Sequence, residues 1–217
     1  MTAITDPMGD LGLRFFGSTT ASMSHELKNA LAIIKENAGL LKDYMAMAEQ
    51  GTPLMPERLK TVSGRIEDQV VRADGLIKAL NRYAHTIDTP AVTVDLNEML
   101  DILVAVSHRL AAMRQITLEK QPANAPVMVN TAPFFLLTAM GDCLAYVFEI
   151  TEPGKIVIIE ISSEKGGAVD FQFQPKAAES ISVEYPSEHQ SELLTLLNAV
   201  YEPEMKDGRI RIRMKTP

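Results

Sequence analysis

Two long runs of helical periodicity constrain this chain most. From about Leu13 to Gln50, Met23, Leu27, Ala30, Ile34, Leu41 and Met45 recur at steps of three, four and seven. That is one face of a helix at about 100° per residue. Gly51-Thr52-Pro53-Leu54-Met55-Pro56 interrupts the run, and Pro56 suits the first turn of a second helix. From Pro56 to about Ala84, Leu59, Val62, Ile66, Val70, Ala73, Ile77, Leu80 and Ala84 step by four and three, a heptad-like seam. Helices of about 30 residues or more are roughly 45–55 Å long. Joined by a short turn, they form an antiparallel hairpin, which alone leaves apolar surface uncovered. The periodicity predicts that a second copy covers it, making a dimeric four-helix bundle. The alternative is that the hairpin packs on the rest of its own chain.

The remainder reads differently. Met1 to about Gly12 is expected as a loose lead-in, and His85 to Ala91 as a short proline-containing linker. Val92–Val94 reads as a strand, and Asp95-Leu96-Asn97-Glu98 caps a helix running to about Arg114. Strands are expected over Ile116–Glu119, Val127–Val129, Lys155–Ser162, Ala168–Gln174 and Ile181–Tyr185, with a last one over Arg209–Met214. Further helices are expected from Pro133 to about Ile150 and from Ser187 to Val200. The fold class is therefore α+β. A helical-hairpin dimerisation domain spans 1–88, and a small α/β sandwich with helices on one face of a mixed sheet spans 89–217.

Composition removes several functions. The net charge is −7 with no dense basic block, and Trp is absent, which argues against a nucleic-acid surface. Cys143 is the one cysteine, so there is no internal disulfide, and its apolar surroundings suit a buried thiol in a reducing compartment. No run of about 18 uninterrupted apolar residues exists, and Met1–Asp10 lacks the basic cluster and apolar core of a signal peptide. A cytoplasmic protein that does not contact membrane is expected. His85, His108 and His189 lack metal-ligand spacing, so no metal site is assigned. Arg209, Arg211 and Arg213 alternate on one face of the last strand. A charge-protected edge strand is the first reading of that stripe, and a surface for an acidic partner the second.

His25 is the fourth histidine and stands apart. It lies about 200° around the helix from Met23, opposite the apolar stripe. Its neighbours there are Ser18, Ala21, Ser22, Asn29, Ala32 and Glu36, mostly small, with Lys28 close by. A neutral imidazole ringed by small residues can be reached by another protein and can attack a phosphoryl group. Glu26 is placed to accept the other ring N–H, and Asn29, four residues on, projects from the same face. On residue types alone, an ordinary solvated histidine fits as well.

Met23-Ser24-His25-Glu26-Leu27-Lys28-Asn29-Ala30-Leu31 resembles the H-box of two-component sensor histidine kinases: Ser-His-Glu, Leu, a basic residue, Thr or Asn, Pro, Leu. Ala30 replaces the usual proline, which removes a kink but not the acceptor. The resemblance continues through the hairpin, through Val94-Asp95-Leu96-Asn97-Glu98, and into the α/β order that follows. It implies that His25 is a phosphoryl acceptor, with Glu26 and Asn29 beside it. It also implies partner contacts at Ser18, Ala21, Ser22, Lys28, Ala32 and Glu36, and response-regulator receiver domains as partners.

The nucleotide half of that pattern is missing. The family carries Asn-Leu-Leu-x-Asn-Ala on a helix, and its second Asn holds Mg²⁺ at the ATP phosphates. Here the aligned stretch is Asp142-Cys143-Leu144-Ala145-Tyr146-Val147, and a phenol is a poor Mg²⁺ ligand. Phe173-Gln174-Pro175-Lys176-Ala177-Ala178-Glu179-Ser180 has no Asp and no Gly where an Asp-x-Gly-x-Gly loop is expected. Beyond Gly167 only Gly208 remains for a lid. The resemblance is therefore to a degenerate ATPase domain, with no cofactor bound by this chain and Mg²⁺ expected on the receiver. It implies a histidine phosphotransferase shuttling phosphoryl groups between receiver aspartates. A receiver-directed phosphatase and a non-catalytic receiver-binding scaffold are the alternatives, and an ATP-dependent kinase is the remotest reading.

Overall fold

The computed structural model describes residues 7–88, 90–176 and 185–215. The first helix, α1 (Pro7–Glu49), is 43 residues long, so it spans about 65 Å. It opens on Pro7 and takes in the second half of the expected lead-in, because a proline at the first helical position has no N–H to leave unpaired. A turn at Gly51, whose φ of 90° favours glycine, leads to α2 (Pro56–His85), again with proline in its first turn. α1 and α2 form the antiparallel hairpin.

A 3-10 turn at Thr86–Asp88 leads to β1 (Val92–Asp95) and α3 (Leu96–Met113). Asp95 caps α3 by accepting from the Asn97 N–H at 3.0 Å, and the same oxygen accepts from the Val127 N–H at 3.0 Å. Then come β2 (Thr117–Gln121), β3 (Met128–Thr131), α4 (Pro133–Ile150), β4 (Ile156–Ser162), β5 (Ala168–Gln172), α5 (Glu188–Leu196), β6 (Ala199–Glu204) and β7 (Arg209–Met214). β1 pairs antiparallel with β3. The main sheet has the order β2-β4-β5-β7-β6, with only β2–β4 parallel. α3, α4 and α5 supply most of the helical residues buried against it.

α4 is long and apolar enough to cross a membrane, yet most of it is buried inside the protein as the central core helix. That explains its near-continuous apolar sequence. The expected strand at Ile181–Tyr185 lies, Tyr185 apart, outside the described residues. The expected helix from Ser187 stops at Leu196 instead of Val200, and Asn198 turns the chain at a φ of 52° into β6. β6 was not expected, because Pro203 interrupts its pattern. As an edge strand it tolerates proline.

β6 also changes the arginine stripe. β7 is an inner strand between β5 and β6, not an edge. Arg211 makes two bonds to Asp170 on β5, at 2.7 and 2.9 Å, while Arg209 pairs with Glu204 and Arg213 with Glu202 on β6. The stripe is neutralised across strands within the sheet, so its charge is not held out for an acidic partner.

One continuous core runs through hairpin and sandwich. Phe15, Met23 and Tyr83 from the hairpin belong to the same buried cluster as Leu100, Leu136, Phe171 and Ile210. Tyr83 is 0% exposed and stacks against Phe16 and Phe134, with Phe15 edge-on at 5.7 Å. The alternative reading of the sequence thus holds for the base of the hairpin. Above the base, large apolar side chains stay uncovered, among them Leu31 at 60%, Val70 at 51%, Val71 at 67% and Ile77 at 48% exposed.

Candidate functional site

The single apolar face expected on α1 divides into two. Ser22, Glu26, Ala30 and Asn37, with Phe15 and Thr19 below, form the buried face. Leu27, Ile34 and Leu41 are half-buried, and Leu31 and Met45 are exposed. At about 100° per residue, His25 and Ile34 are about 180° apart. Counted the same way from the seam, His25 and Arg72 fall on one side of the hairpin. Leu27, Leu31, Ile34, Val70 and Ile77 fall on the other.

His25 is exposed, as are Ser18, Ala21, Lys28, Asn29, Ala32 and Glu36. The Ser18 hydroxyl donates back to the Phe15 carbonyl at 3.0 Å, so it caps its own helix backbone. Ser22 is the first correction. It is 8% exposed and lies in the seam, about 60° around the helix from His25. Glu26 is the second. Its carboxylate turns into the seam and pairs with the Arg72 guanidinium of α2 at 3.2 Å, not with the His25 ring. Residues i and i+1 point about 100° apart on a helix, so the expected ring contact is geometrically poor. Arg72 itself escaped notice in the sequence, because an arginine 46 residues away carries no local signal.

The sandwich meets α1 from elsewhere. Met23 is buried in the shared core, and His25, two residues later, points about 200° away from it. The junction is keyed in both directions. A Cβ on Gly141 of α4 would overlap the Phe15 ring, and one on Gly12 of α1 would press on the Phe134 ring. Each phenylalanine fills the notch left by the opposite glycine.

Tyr146 of α4 stands where the family pattern has its metal-holding Asn. It stacks on Tyr185, with centroids 4.9 Å apart and planes 15° apart, and Tyr185 meets Tyr201 of β6 edge-on at 5.1 Å. Burial raises the pKa of all three phenols. Tyr185 also shares a hydrogen bond with Cys143, whose thiol burial holds protonated. This cluster is a filled aromatic block of neutral groups, and neutral phenols do not attract a divalent cation. Asp142, one residue away, is raised to about 6 by burial, and its Oδ2 has no hydrogen-bond partner among the described residues. No group of three His, Cys, Asp or Glu side chains is placed to hold a metal among the described residues.

No family model matches the chain, and no curated protein matches it. Solved structures similar to it include the histidine kinase AdeS of Acinetobacter baumannii, at 9% identity and TM-score 0.46, over 88% of this chain and 97% of that one. A bacterial phosphotransferase is similar at 10% identity and TM-score 0.47, over 92% and 95%. A histidine kinase from Burkholderia phymatum is similar at 13% identity and TM-score 0.42, over 94% and 95%. The architecture itself, a long helical hairpin followed by a small mixed sheet packed with helices, is the α+β arrangement expected from the sequence. The matched regions take in hairpin and sandwich alike.

Proposed function

We propose that the chain is a homodimeric histidine phosphotransferase of a two-component phosphorelay, working in the cytoplasm between receiver domains. One observation carries this reading: His25 is exposed on the side of α1 turned away from the sandwich, and the sandwich is keyed into α1 through Phe15, Gly141, Phe134 and Gly12. A phosphoryl donor must bring its phosphorus to within about 3–3.5 Å of the attacking nitrogen. A donor site on the keyed sandwich of the same chain faces away from that nitrogen. The donor site therefore lies on another chain, and the chemistry that suits a single exposed imidazole is an aspartyl phosphate on a receiver. The ring nitrogen attacks phosphorus, a P–N bond forms, the P–O bond to the aspartyl carboxylate breaks, and the reverse step delivers the group to a second receiver. The receiver supplies the aspartate and Mg²⁺.

Ser18, Ala21, Lys28, Asn29, Ala32 and Glu36 supply the contact face around His25, with no bulky side chain to hold a receiver off. The apolar side chains left exposed on the opposite side of the hairpin support a second copy there. The filled Tyr146–Tyr185–Tyr201 block supports a sandwich that serves as a scaffold and takes no nucleotide. The test is incubation with a purified, phosphorylated receiver. Acid-labile label on wild-type His25, absent from His25→Gln, is the expected result; equal label on both ends the proposal.

A further inference from the structure

We propose that Arg72 is a positioning residue that decides whether the phosphoryl group on His25 is kept for transfer or lost to water. The inference rests on the phosphotransferase reading and concerns its outcome. Glu26 follows His25 directly, yet its carboxylate is drawn into the seam, where the side chain is only 10% exposed. The Arg72 guanidinium, 51% exposed and on the His25 side of the hairpin, holds it there at 3.2 Å. It is the one cation paired with Glu26 among the described residues. Around His25, Ser18, Ala21, Asn29 and Ala32 offer no base. With Glu26 held, α1 carries no other carboxylate within two turns of His25 to activate water, Glu36 lying eleven residues or about 16 Å further along the helix.

A buried carboxylate stripped of its cation is strongly unfavourable in a seam of this kind. Without Arg72, Glu26 swings on its three side-chain torsions to the solvent rim beside His25. There it accepts a proton from a water molecule. The water oxygen attacks phosphorus, a P–O bond forms, and the P–N bond to the imidazole breaks. The ring nitrogen leaves with the bond pair and takes up a proton. Inorganic phosphate and unmodified His25 result, and Glu26 returns its proton to solvent. The same glutamate thus serves a transferase when pinned and a phosphatase when released.

The experiment compares wild type, Arg72→Lys, Arg72→Met, Glu26→Gln and the Arg72→Met/Glu26→Gln pair, all labelled from a phosphorylated receiver. Phosphohistidine lifetime and inorganic phosphate release are read, with circular dichroism to establish folding. Wild type and Arg72→Lys keep their label. Arg72→Met releases phosphate faster by about 100-fold, the low side of what a positioned general base supplies. Adding Glu26→Gln restores the long lifetime, which a merely structural role for Arg72 does not predict. Should Arg72→Met not fold, Arg72→Gln carries the test, with release above wild type that Glu26→Gln abolishes. A label on Arg72→Met, or on folded Arg72→Gln, as long-lived as on wild type overturns the role of Arg72. So does fast release that persists with Glu26→Gln. An unlabelled wild type refutes the phosphotransferase reading itself and takes this role with it.

Discussion

Replacing Asp142 with Asn is expected to stabilise the protein, and by an amount that depends on pH. Asp142 sits on α4 among Tyr83, Cys143 and Tyr185, its Oδ2 without a partner among the described residues. Burial raises its pKa from 3.8 to about 6. At about 1.36 kcal/mol per pH unit this difference amounts to about 3 kcal/mol, an upper figure because the folded chain can relax around the charge. The raised pKa means that the folded state binds the proton more tightly than the unfolded one. The group's contribution to stability is therefore fully present below pH 3.8. It falls as pH rises through the window from 3.8 to about 6, and stays lost above it. Asparagine fills nearly the same volume, carries no charge at any pH, and is the residue the kinase pattern has at this place. Urea unfolding at matched protein concentration, from pH 4 to pH 8, checks this. Wild type and Asp142→Asn should agree within about 0.5 kcal/mol near pH 4, and the variant should gain about 1–3 kcal/mol by pH 7. Parallel curves, or a variant less stable than wild type at pH 7, refute the reasoning. Either result would mean that the carboxylate is ionised and satisfied in the folded protein.

Two further outcomes follow from contacts between distant residues. Gly141→Ala drives a methyl group into the Phe15 ring and should lower stability by about 1–3 kcal/mol, while Gly39→Ala, where a Cβ meets nothing within 4 Å, should not destabilise. Thermal melts of the two variants compare the sites directly. Arg211→Met leaves the 2%-exposed Asp170 without its bidentate partner and should cost about 3–5 kcal/mol by urea unfolding. Asp170→Asn in the same chain should recover most of that loss.

The elements most legible in the sequence were those whose signals are local. α4 runs from Pro133 to Ile150 as its helix-opening proline and apolar run indicate, and α3 begins at the Asp95 cap. Both helices of the hairpin follow from periodicity, but the azimuth of their buried faces does not. Met23 and Ile34 sit on one broad apolar arc in sequence. Only the position of α2 reveals that the seam passes through Ser22 and Glu26 instead. β6 was hidden because Pro203 reads as a break, a rule that fails on an edge strand. The Glu26–Arg72 pair and the fit of Phe15 to Gly141 join positions far apart in the chain, so no window of sequence contains them.

The keyed junction has a metrical consequence. Phe15 fixes the rotational phase of α1, and His25 lies ten residues above it, a lever of about 15 Å at 1.5 Å per residue. One residue inserted on that lever turns the histidine onto the azimuth that Glu26 now holds, inside the seam. Seven inserted residues nearly restore the phase but lift the imidazole by about 10 Å away from the sandwich. Spacer length is therefore a ruler. The first change tests which way His25 must point, and the second tests whether a docking protein measures its height above the sandwich.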